Sequence, residues 1–226
     1  MAQFDPETVP LDRDFGLAER GAAVAPVRLV PDALRQRFAA PPLWTPELSA
    51  DSRLLLTSRP ERPAAVLVPM VDRPTGITVL LTRRTDHLHD HAGQISFPGG
   101  RRDAVDTSAV ATALRETEEE IGLARSRIDV LGHLPDYLTV TGYRVTPVVA
   151  LVSPPFELRL DSFEVAEAFE VPLAYLMDPV HHQRRRIDWG DQARSFYAMP
   201  WQSERRYFIW GATAAMLRNL YRFLAA

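Results

Sequence analysis

Three glutamates near the middle of the chain have a spacing that could hold a divalent cation. The segment from Arg115 to Glu120 reads RETEEE, and helical periodicity places Glu116, Glu119 and Glu120 on one face, at positions i, i+3 and i+4. Like charges on one face destabilise an isolated helix by about 0.2–0.5 kcal/mol per pair, and a bound divalent cation reverses the sign of that effect. Because Mg²⁺ prefers oxygen ligands and binds through a few carboxylates plus substrate phosphates, the pattern predicts a metal site for phosphate chemistry. On the glutamates alone, a solvated acidic helix face stays open as the alternative.

The elements around the glutamates favour a site over a solvated surface. The predicted helix over 109–121 has an apolar side, so it must pack on other elements, and Thr107 or Ser108 stands at its N-cap position. Just upstream, Gly99 and Gly100 form a turn where the backbone can approach a ligand closely. A carbonyl of this turn could supply a further hard-oxygen ligand.

Bulk composition limits the kinds of protein that this chain can be. It has 226 residues, a formal net charge of -3 and no cysteine, which excludes disulfides, thiolate zinc sites and a cysteine nucleophile. The mild charge argues against a general nucleic-acid binder. No apolar run approaches the roughly 18 residues that a membrane helix needs, and the first residues lack the basic and apolar regions of a secretory signal. We therefore expect a cytoplasmic protein that binds neither nucleic acid nor membrane.

The sequence pattern divides the chain near residue 63. Residues 1–62 are rich in proline, with one short helix predicted over 31–38, and are interpreted as an N-terminal extension of a domain formed by residues 63–226. Apolar, β-rich runs within that domain predict strands over 64–71, 77–82, 128–134, 144–152, 184–189, 195–199 and 206–210. Further helices are predicted over 173–177 and 212–224. Because strands and helices interleave without a regular βαβ period, we expect an α/β fold with a mixed sheet and helices on both faces.

The acidic helix resembles the signature box of the Nudix hydrolases. Their usual pattern is Gx5Ex7REUxEExGU, where U is a bulky aliphatic residue, and the run from Arg115 to Leu123 matches its second half except for Thr117 at an aliphatic position. The first half contains one inserted residue. Counting back from Arg115 puts Thr107 at the early glutamate, whereas counting forward from Gly100 puts Asp106 there.

The Nudix resemblance implies a fold, a metal and roles for particular residues. The fold is a Nudix-type α/β/α sandwich, and the metal is Mg²⁺ or Mn²⁺. The implied metal ligands are three carboxylates and one carbonyl, from Glu116, Glu119, Glu120 and Gly100. Glu116 and Glu119 are expected to be catalytic, and Arg115 to be structural by bracing a box glutamate through charge-assisted hydrogen bonds. The general base is either Glu119 or an acid of the segment that contains Glu164 and Glu167.

An upstream motif narrows the substrate. The chain is similar to the pattern LLTxR(S/A)x3Rx3Gx3FPGG, which accompanies the box in the coenzyme A pyrophosphatase branch. Nine positions agree, namely Leu80, Leu81, Thr82, Arg84, Gly93, Phe97, Pro98, Gly99 and Gly100, while Thr85 and His89 depart from it. The resemblance implies cleavage of coenzyme A or an acyl-CoA to 3′,5′-ADP and 4′-phosphopantetheine. Arg84, Gly99 and Gly100 are the expected substrate contacts, and Arg83 should point to the opposite face of the strand.

Several alternatives stay open on the sequence. The chain could be a broader Nudix hydrolase of other nucleoside-diphosphate-linked compounds or damaged nucleotides, or a nucleotide-binding module without turnover. Residues 1–62 could gate the site, form a homodimer or stay mobile. His87, His89 and His91 are interpreted as polar loop residues, and His181-His182 as part of an exposed basic turn.

Overall fold

A mixed β-sheet with helices on both faces forms the body of the protein. The computed structural model describes residues 5–16, 21–47, 61–87, 92–139, 141–189 and 192–226. The larger sheet has eight strands in these residues, and a second, antiparallel sheet has three. Within the larger sheet, β1 and β7 run parallel and the other pairs run antiparallel. The expected α/β/α sandwich with a mixed sheet is confirmed.

The strands of the described residues are β1 (Arg62–Arg73), β2 (Gly76–Arg84), β3 (Ile95–Ser96), β4 (Gly99–Arg101), β5 (Ile128–His133), β6 (Tyr137–Leu138), β7 (Tyr143–Val152), β8 (Val165–Pro172), β9 (Gln183–Trp189), β10 (Gln192–Gln202) and β11 (Arg206–Trp210). The α-helices are α1 (Pro31–Ala39), α2 (Ala109–Ile121), α3 (Leu173–Leu176) and α4 (Gly211–Ala225). Every predicted helix and strand is present. The sequence pattern did not indicate four further strands, namely the short β3, β4 and β6 and the longer β8.

Strand β1 lies at the centre of the larger sheet. It pairs with β2 and β4 on one side and with β7 on the other. Its residues from Leu67 to Val71 are all buried, because helices and loops cover both faces of the sheet. The larger core cluster lies between the sheet, α4 and the second sheet, and it includes Val68, Met70 and Leu217.

Helix α2 covers the opposite face of the sheet, where the core is smaller. Ala113 packs there with Leu67, and Ile121 packs with Val71. The N-terminus of α2 is capped by Ser108, whose Oγ accepts a hydrogen bond of 3.1 Å from the Ala111 amide. The helix ends at Gly122, whose φ of 68° is the left-handed conformation that glycine adopts without strain.

The N-terminal segments pack on this body. Leu34 of α1 is fully buried in the larger core cluster, and the carboxylate of Glu47 accepts hydrogen bonds of 3.1 and 3.0 Å from Nε and Nη2 of Arg218. Asp12 pairs with Arg184 at 2.7 Å. Whether residues 1–62 form an extension separate from the domain stays a prediction. Among the described residues, no helix is both long and apolar enough to cross a membrane.

Candidate active site

Arg115 of helix α2 binds the buried carboxylate of Asp106. Its Nε donates to Oδ1 at 3.0 Å and its Nη2 donates to Oδ2 at 2.8 Å. Asp103 donates its backbone amide to the same carboxylate at 2.8 Å. These donors hold the pKa of Asp106 well below its usual range, first through the Arg115 side chain. Of the two positions that the sequence left open for the early box acid, Asp106 therefore occupies the place beside Arg115, and Thr107 is exposed.

The same guanidinium also holds two of the box glutamates. Arg115 pairs with Glu116 at 3.0 Å and with Glu119 at 2.8 Å. One partly buried guanidinium group thus contacts three carboxylates around the start of the acidic run. The bracing role of Arg115 stays a prediction, and these ion pairs are the contacts that it requires.

Two glycines bring the turn before α2 against the helix. A Cβ atom on Gly100 would lie 2.6 Å from the carboxyl carbon of Glu116, so only glycine leaves room for that side chain. A Cβ on Gly99 would lie 2.5 Å from the Cα of Val66, and its φ of 150° is itself unfavourable for other residues. The amide of Gly99 donates to Oε2 of Glu120 at 3.1 Å. The turn therefore contacts two of the three glutamates directly.

Glu120 is the most buried of the three glutamates, with 7% of its surface exposed. The pKa of its carboxyl is raised to about 8, mainly by burial. The nearby charges of Glu164 and Glu116 contribute to this rise, while the Gly99 amide and the charge of Arg84 oppose it. Burial also raises the pKa of Glu116, against the opposing effect of Arg115. Crowded, desolvated carboxylates of this kind are stabilised by an added cation.

The two arginines at the end of β2 point to opposite faces of the sheet. The side chain of Arg84 lies on the face of the sheet that α2 covers, where its charge lowers the pKa of Glu120. Its Nε is buried and, within the described residues, has no hydrogen-bond partner. Arg83 lies on the other face, 3.7 Å from Glu167. A buried guanidinium nitrogen with an unused donor beside a carboxylate cluster is suited to a phosphate oxygen.

The segment after β7 carries Glu164 to the site by docking on the end of α2. The amides of Arg159 and Asp161 donate to the carbonyls of Ile121 and Glu120 at 2.9 and 2.8 Å, which satisfies the C-terminal carbonyls of the helix. The hydroxyl of Thr85 then donates to the Phe163 carbonyl at 2.8 Å, and the Thr85 amide donates to the carbonyl of Glu164 at 3.0 Å.

Glu164 consequently lies close enough to Glu116 and Glu120 to raise the pKa of both carboxyls. Glu167, the other acid considered for the base, belongs to β8 and faces Arg83 on the far side of the sheet. Only Glu164 of this pair lies with the box glutamates.

The candidate ligand atoms are of the kind that binds a hard divalent cation, although the side chains do not point to one common position. In the described part of the chain, no three acidic or histidine side chains already converge on one point. Glu116 and Glu119 are instead held by Arg115. The side chain of Glu119 is 60% exposed. All the available donors are carboxylate or carbonyl oxygens, which is the ligand chemistry that Mg²⁺ and Mn²⁺ prefer.

Some residues differ from their interpretation in the sequence. His182 is fully buried rather than part of an exposed turn, and Arg184 pairs with Asp12. Thr117 occupies an aliphatic position of the box because its hydroxyl donates to the Ala113 carbonyl at 2.6 Å, which leaves no unsatisfied donor in the core. His87 contacts Phe163, with ring centroids 4.9 Å apart, and the other two histidines of that loop lie outside the described residues.

Comparison with known proteins places these features in a family. The model of the NUDIX domain matches residues 61–189, which is more than half of the chain. Two proteins named "Uncharacterized Nudix hydrolase NudL", from Escherichia coli K12 and from E. coli O6:H1 strain CFT073, are each 44% identical over 164 residues. Each alignment covers 70% of this chain and 81% of the relative.

Solved structures are similar over part of the chain. The Ap4A hydrolase of Caenorhabditis elegans in a binary complex aligns with a TM-score of 0.43 and 21% identity, over 49% of this chain and 80% of that one. The Nudix hydrolase RenU of Mycobacterium smegmatis aligns with a TM-score of 0.44 and 24% identity, over 58% of this chain and 80% of that one.

Proposed function

The chain belongs to the Nudix hydrolase family, and on that premise we propose that it is a metal-dependent pyrophosphohydrolase of coenzyme A or its thioesters. The products are 3′,5′-ADP and 4′-phosphopantetheine or its acylated form. The proposal depends most on the surroundings of Glu120, a buried carboxylate beside Glu116, Glu164 and Arg84. We also propose that the protein acts in the cytoplasm.

Divalent cations are general in this family, and we propose Mg²⁺ or Mn²⁺ here. Glu116, Glu119 and Glu120 would hold the cation, with the Gly100 carbonyl as a further ligand. When bound, the cation neutralises charge on the diphosphate and makes water more acidic. The high pKa of Glu120, raised mainly by burial, supports this assignment, because a cation would stabilise the ionised form of a carboxyl that otherwise retains its proton near neutral pH.

The remaining side chains supply positioning and proton transfer. Arg84 contacts a phosphate oxygen of the substrate through the buried Nε that has no protein partner among the described residues. Water attacks one phosphorus of the diphosphate, the bridging P–O bond breaks, and the proton of the water passes to Glu164 or Glu119. Glu164 is supported as the base by its position beside the box glutamates, where its backbone is fixed by Thr85 and its loop by the end of α2. Arg115 acts indirectly by holding Glu116 and Glu119.

The choice of coenzyme A depends on residues outside the box. The motif positions in β2 and in the Phe97–Gly100 turn are next to each other in space, since Thr82 and Ser96 pair between β2 and β3. Thr85 departs from the motif, yet it has a positioning role through its hydrogen bond to Phe163. The Gly99 amide of the motif donates to Glu120 of the acidic helix, which supports a role of the motif in substrate recognition.

Product analysis against a substrate panel tests the proposal. The full chain is incubated with Mg²⁺ or Mn²⁺ and, separately, with coenzyme A, an acyl-CoA, NADH, ADP-ribose, a dinucleoside polyphosphate and deoxynucleoside triphosphates. Chromatography identifies each product. We expect 3′,5′-ADP to be released from coenzyme A or the acyl-CoA much faster than any other compound is cleaved.

Two other results would redirect the assignment. Faster cleavage of another panel member would keep the hydrolytic chemistry and overturn the coenzyme A proposal. Binding of nucleotide without any product would indicate a binding module that has lost turnover.

A further inference from the structure

A cavity lies on the face of the sheet opposite helix α2. It has a volume of about 890 Å³, within the range of small-molecule sites. Strand ends of the two sheets form its walls, with Arg83, Glu167, Arg205 and Tyr207 among the lining residues. None of these side chains takes part in the hydrolytic site described above.

Two guanidinium groups in this cavity share one carboxylate. Oε2 of Glu167 lies 3.7 Å from Nε of Arg83 and 3.7 Å from Nη1 of Arg205, which is too long for a hydrogen bond. The other oxygen of Glu167 accepts a hydrogen bond of 2.6 Å from the Tyr207 hydroxyl. Glu167 therefore forms a hydrogen bond with neither arginine.

The other charges of the cavity leave these donors available. Arg83 has one further contact, at 3.4 Å, with the exposed carboxylate of Asp86. Within the described residues, the Arg205 side chain forms no hydrogen bond, and its only ion pair is the long one with Glu167. Arg206 and Glu7, which also line the cavity, pair with each other at 3.1 Å. Asp5, another lining acid, is exposed and its carboxylate accepts a hydrogen bond from the Glu7 amide.

We propose that Arg83 and Arg205 bind a phosphate monoester that the substrate carries in addition to its diphosphate. A phosphate has three acceptor oxygens, which match the unused guanidinium donors of the two arginines. The aromatic side chains of Phe208 and Trp210 line the same cavity and provide apolar surface for the group that carries the phosphate. Because this inference rests on the proposed diphosphate hydrolysis, the 3′-phosphate of coenzyme A is the predicted occupant.

The cavity and the hydrolytic site meet at one end of the sheet. Arg83 and Arg84 are consecutive residues whose side chains point to opposite faces. At this end the Arg84 amide donates to the Gln94 carbonyl, and the Thr85 amide donates to the Glu164 carbonyl, each at 3.0 Å. A substrate that passes over this strand end contacts Arg84 with its diphosphate and Arg83 with the additional phosphate.

Steady-state kinetics on two substrates separates this role from a structural one. The variants are Arg83→Gln and Arg205→Gln, and the substrates are coenzyme A and 3′-dephospho-coenzyme A. We expect each variant to raise KM for coenzyme A at least about tenfold, the loss expected for a hydrogen bond to a charged group, with kcat unchanged. KM for the dephospho compound should not change. Equal effects on both substrates, or no effect on either, would overturn the proposal.

Glu167→Gln should change the affinity for coenzyme A in the opposite direction. This change retains an acceptor for the Tyr207 hydroxyl and removes the negative charge between the two arginines. The variant should bind coenzyme A several-fold more tightly than the wild type, which damage to the fold would not produce. A weaker affinity would contradict the proposed site. Arg125→Gln is the control, since Arg125 is exposed and pairs with Glu118 outside both sites.

A binding measurement, which needs no turnover, tests this inference independently of the proposed function. Calorimetry compares 3′,5′-ADP with AMP on the wild type and on Arg205→Gln. The wild type should prefer 3′,5′-ADP and the variant should lose that preference, even if coenzyme A itself is not cleaved. No preference in the wild type would overturn the inference. If inorganic phosphate binds as tightly as 3′,5′-ADP, the cavity takes free phosphate and the substrate assignment is wrong.

Discussion

Arg115 and Asp106 are nine residues apart and are joined by two hydrogen bonds, of 3.0 and 2.8 Å, between a guanidinium and a carboxylate. The pair ties the loop before helix α2 to the middle of that helix. The same guanidinium also contacts Glu116 and Glu119, so three carboxylates share one positive charge.

Replacing Asp106 should therefore weaken metal binding as well as the fold. In Asp106→Asn the carboxylate charge is lost, and Arg115 binds Glu116 and Glu119 more strongly. We expect a lower unfolding temperature and a several-fold higher Mg²⁺ concentration for half-maximal turnover. The matched control is Thr107→Val at the exposed neighbouring position. An equal loss in Thr107→Val would mean that Asp106 is not the acid that anchors Arg115.

The two glycines of the turn should respond differently to an added methyl group. In Gly100→Ala the new Cβ meets the flexible end of Glu116, so the fold should survive while turnover falls at least about tenfold. In Gly99→Ala the Cβ meets the backbone of Val66 at a φ of 150°, so thermal unfolding should occur at a clearly lower temperature. Gly16→Ala, where no atom lies within 4 Å, is the control for both measurements. Full activity of Gly100→Ala would show that the carboxylate of Glu116 need not stay where it lies.

The buried carboxyl of Glu120 should make the metal-free protein less stable at higher pH. Its pKa is raised mainly by burial to about 8 in the folded protein, above its ordinary value of 4.5. Between those values the folded state retains a proton that the unfolded chain releases, so the free energy of unfolding falls as pH rises from about 5 to about 8. Urea denaturation with a chelator, on wild type and Glu120→Gln, measures this difference. If the difference in the free energy of unfolding between wild type and Glu120→Gln stays constant over this pH range, the raised pKa of Glu120 would be contradicted.

His182 should make the folded protein less stable as the pH falls into the acid range, which is the opposite of the effect of Glu120. Burial lowers its pKa to about 4 from the ordinary 6.5, while its Nε2 bonds the Leu176 carbonyl at 2.8 Å and its Nδ1 faces Arg218 at 3.1 Å. The unfolded chain takes up a proton first, so stability present above pH 6.5 is lost as pH falls towards 4.

The loss through His182 should reach about 3 kcal/mol, since one pKa unit corresponds to about 1.4 kcal/mol. Denaturation of wild type and His182→Gln at several pH values measures it. The exposed His133, changed to Gln, is the control. If His133→Gln altered the pH dependence as much as His182→Gln, the buried histidine would not be its cause.

The local elements of the fold could be predicted from the sequence, because their signals are local. Ser108 and Gly122 mark the ends of α2, and the apolar alternation marks β1 and β2. Strand β8 was missed because its sequence, VAEAFEVP, is rich in alanine and glutamate, which are poor strand formers. It forms a strand because β2 offers it a paired edge, which is a tertiary effect.

The candidate site, too, could be predicted from the sequence only where its signals are local. The spacing of Glu116, Glu119 and Glu120 could be read from helical periodicity. The insertion before the helix hid the early acid, and only the contact with Arg115 distinguishes Asp106 from Thr107. The cavity of Arg83 and Arg205 joins residues that are 122 positions apart, which no local pattern indicates.

The most direct test of the central claim compares single-glutamate variants of α2 for release of 3′,5′-ADP from coenzyme A with Mg²⁺ present. Glu119→Gln and Glu120→Gln remove proposed metal ligands, whereas Glu118→Gln removes a glutamate that pairs with Arg125 away from the site. We predict at least a hundredfold loss of kcat in the first two variants, rates within twofold of wild type in Glu118→Gln, and circular dichroism spectra like that of the wild type in all three. Release of 3′,5′-ADP at the wild-type rate by Glu119→Gln and Glu120→Gln would show that the metal site lies elsewhere.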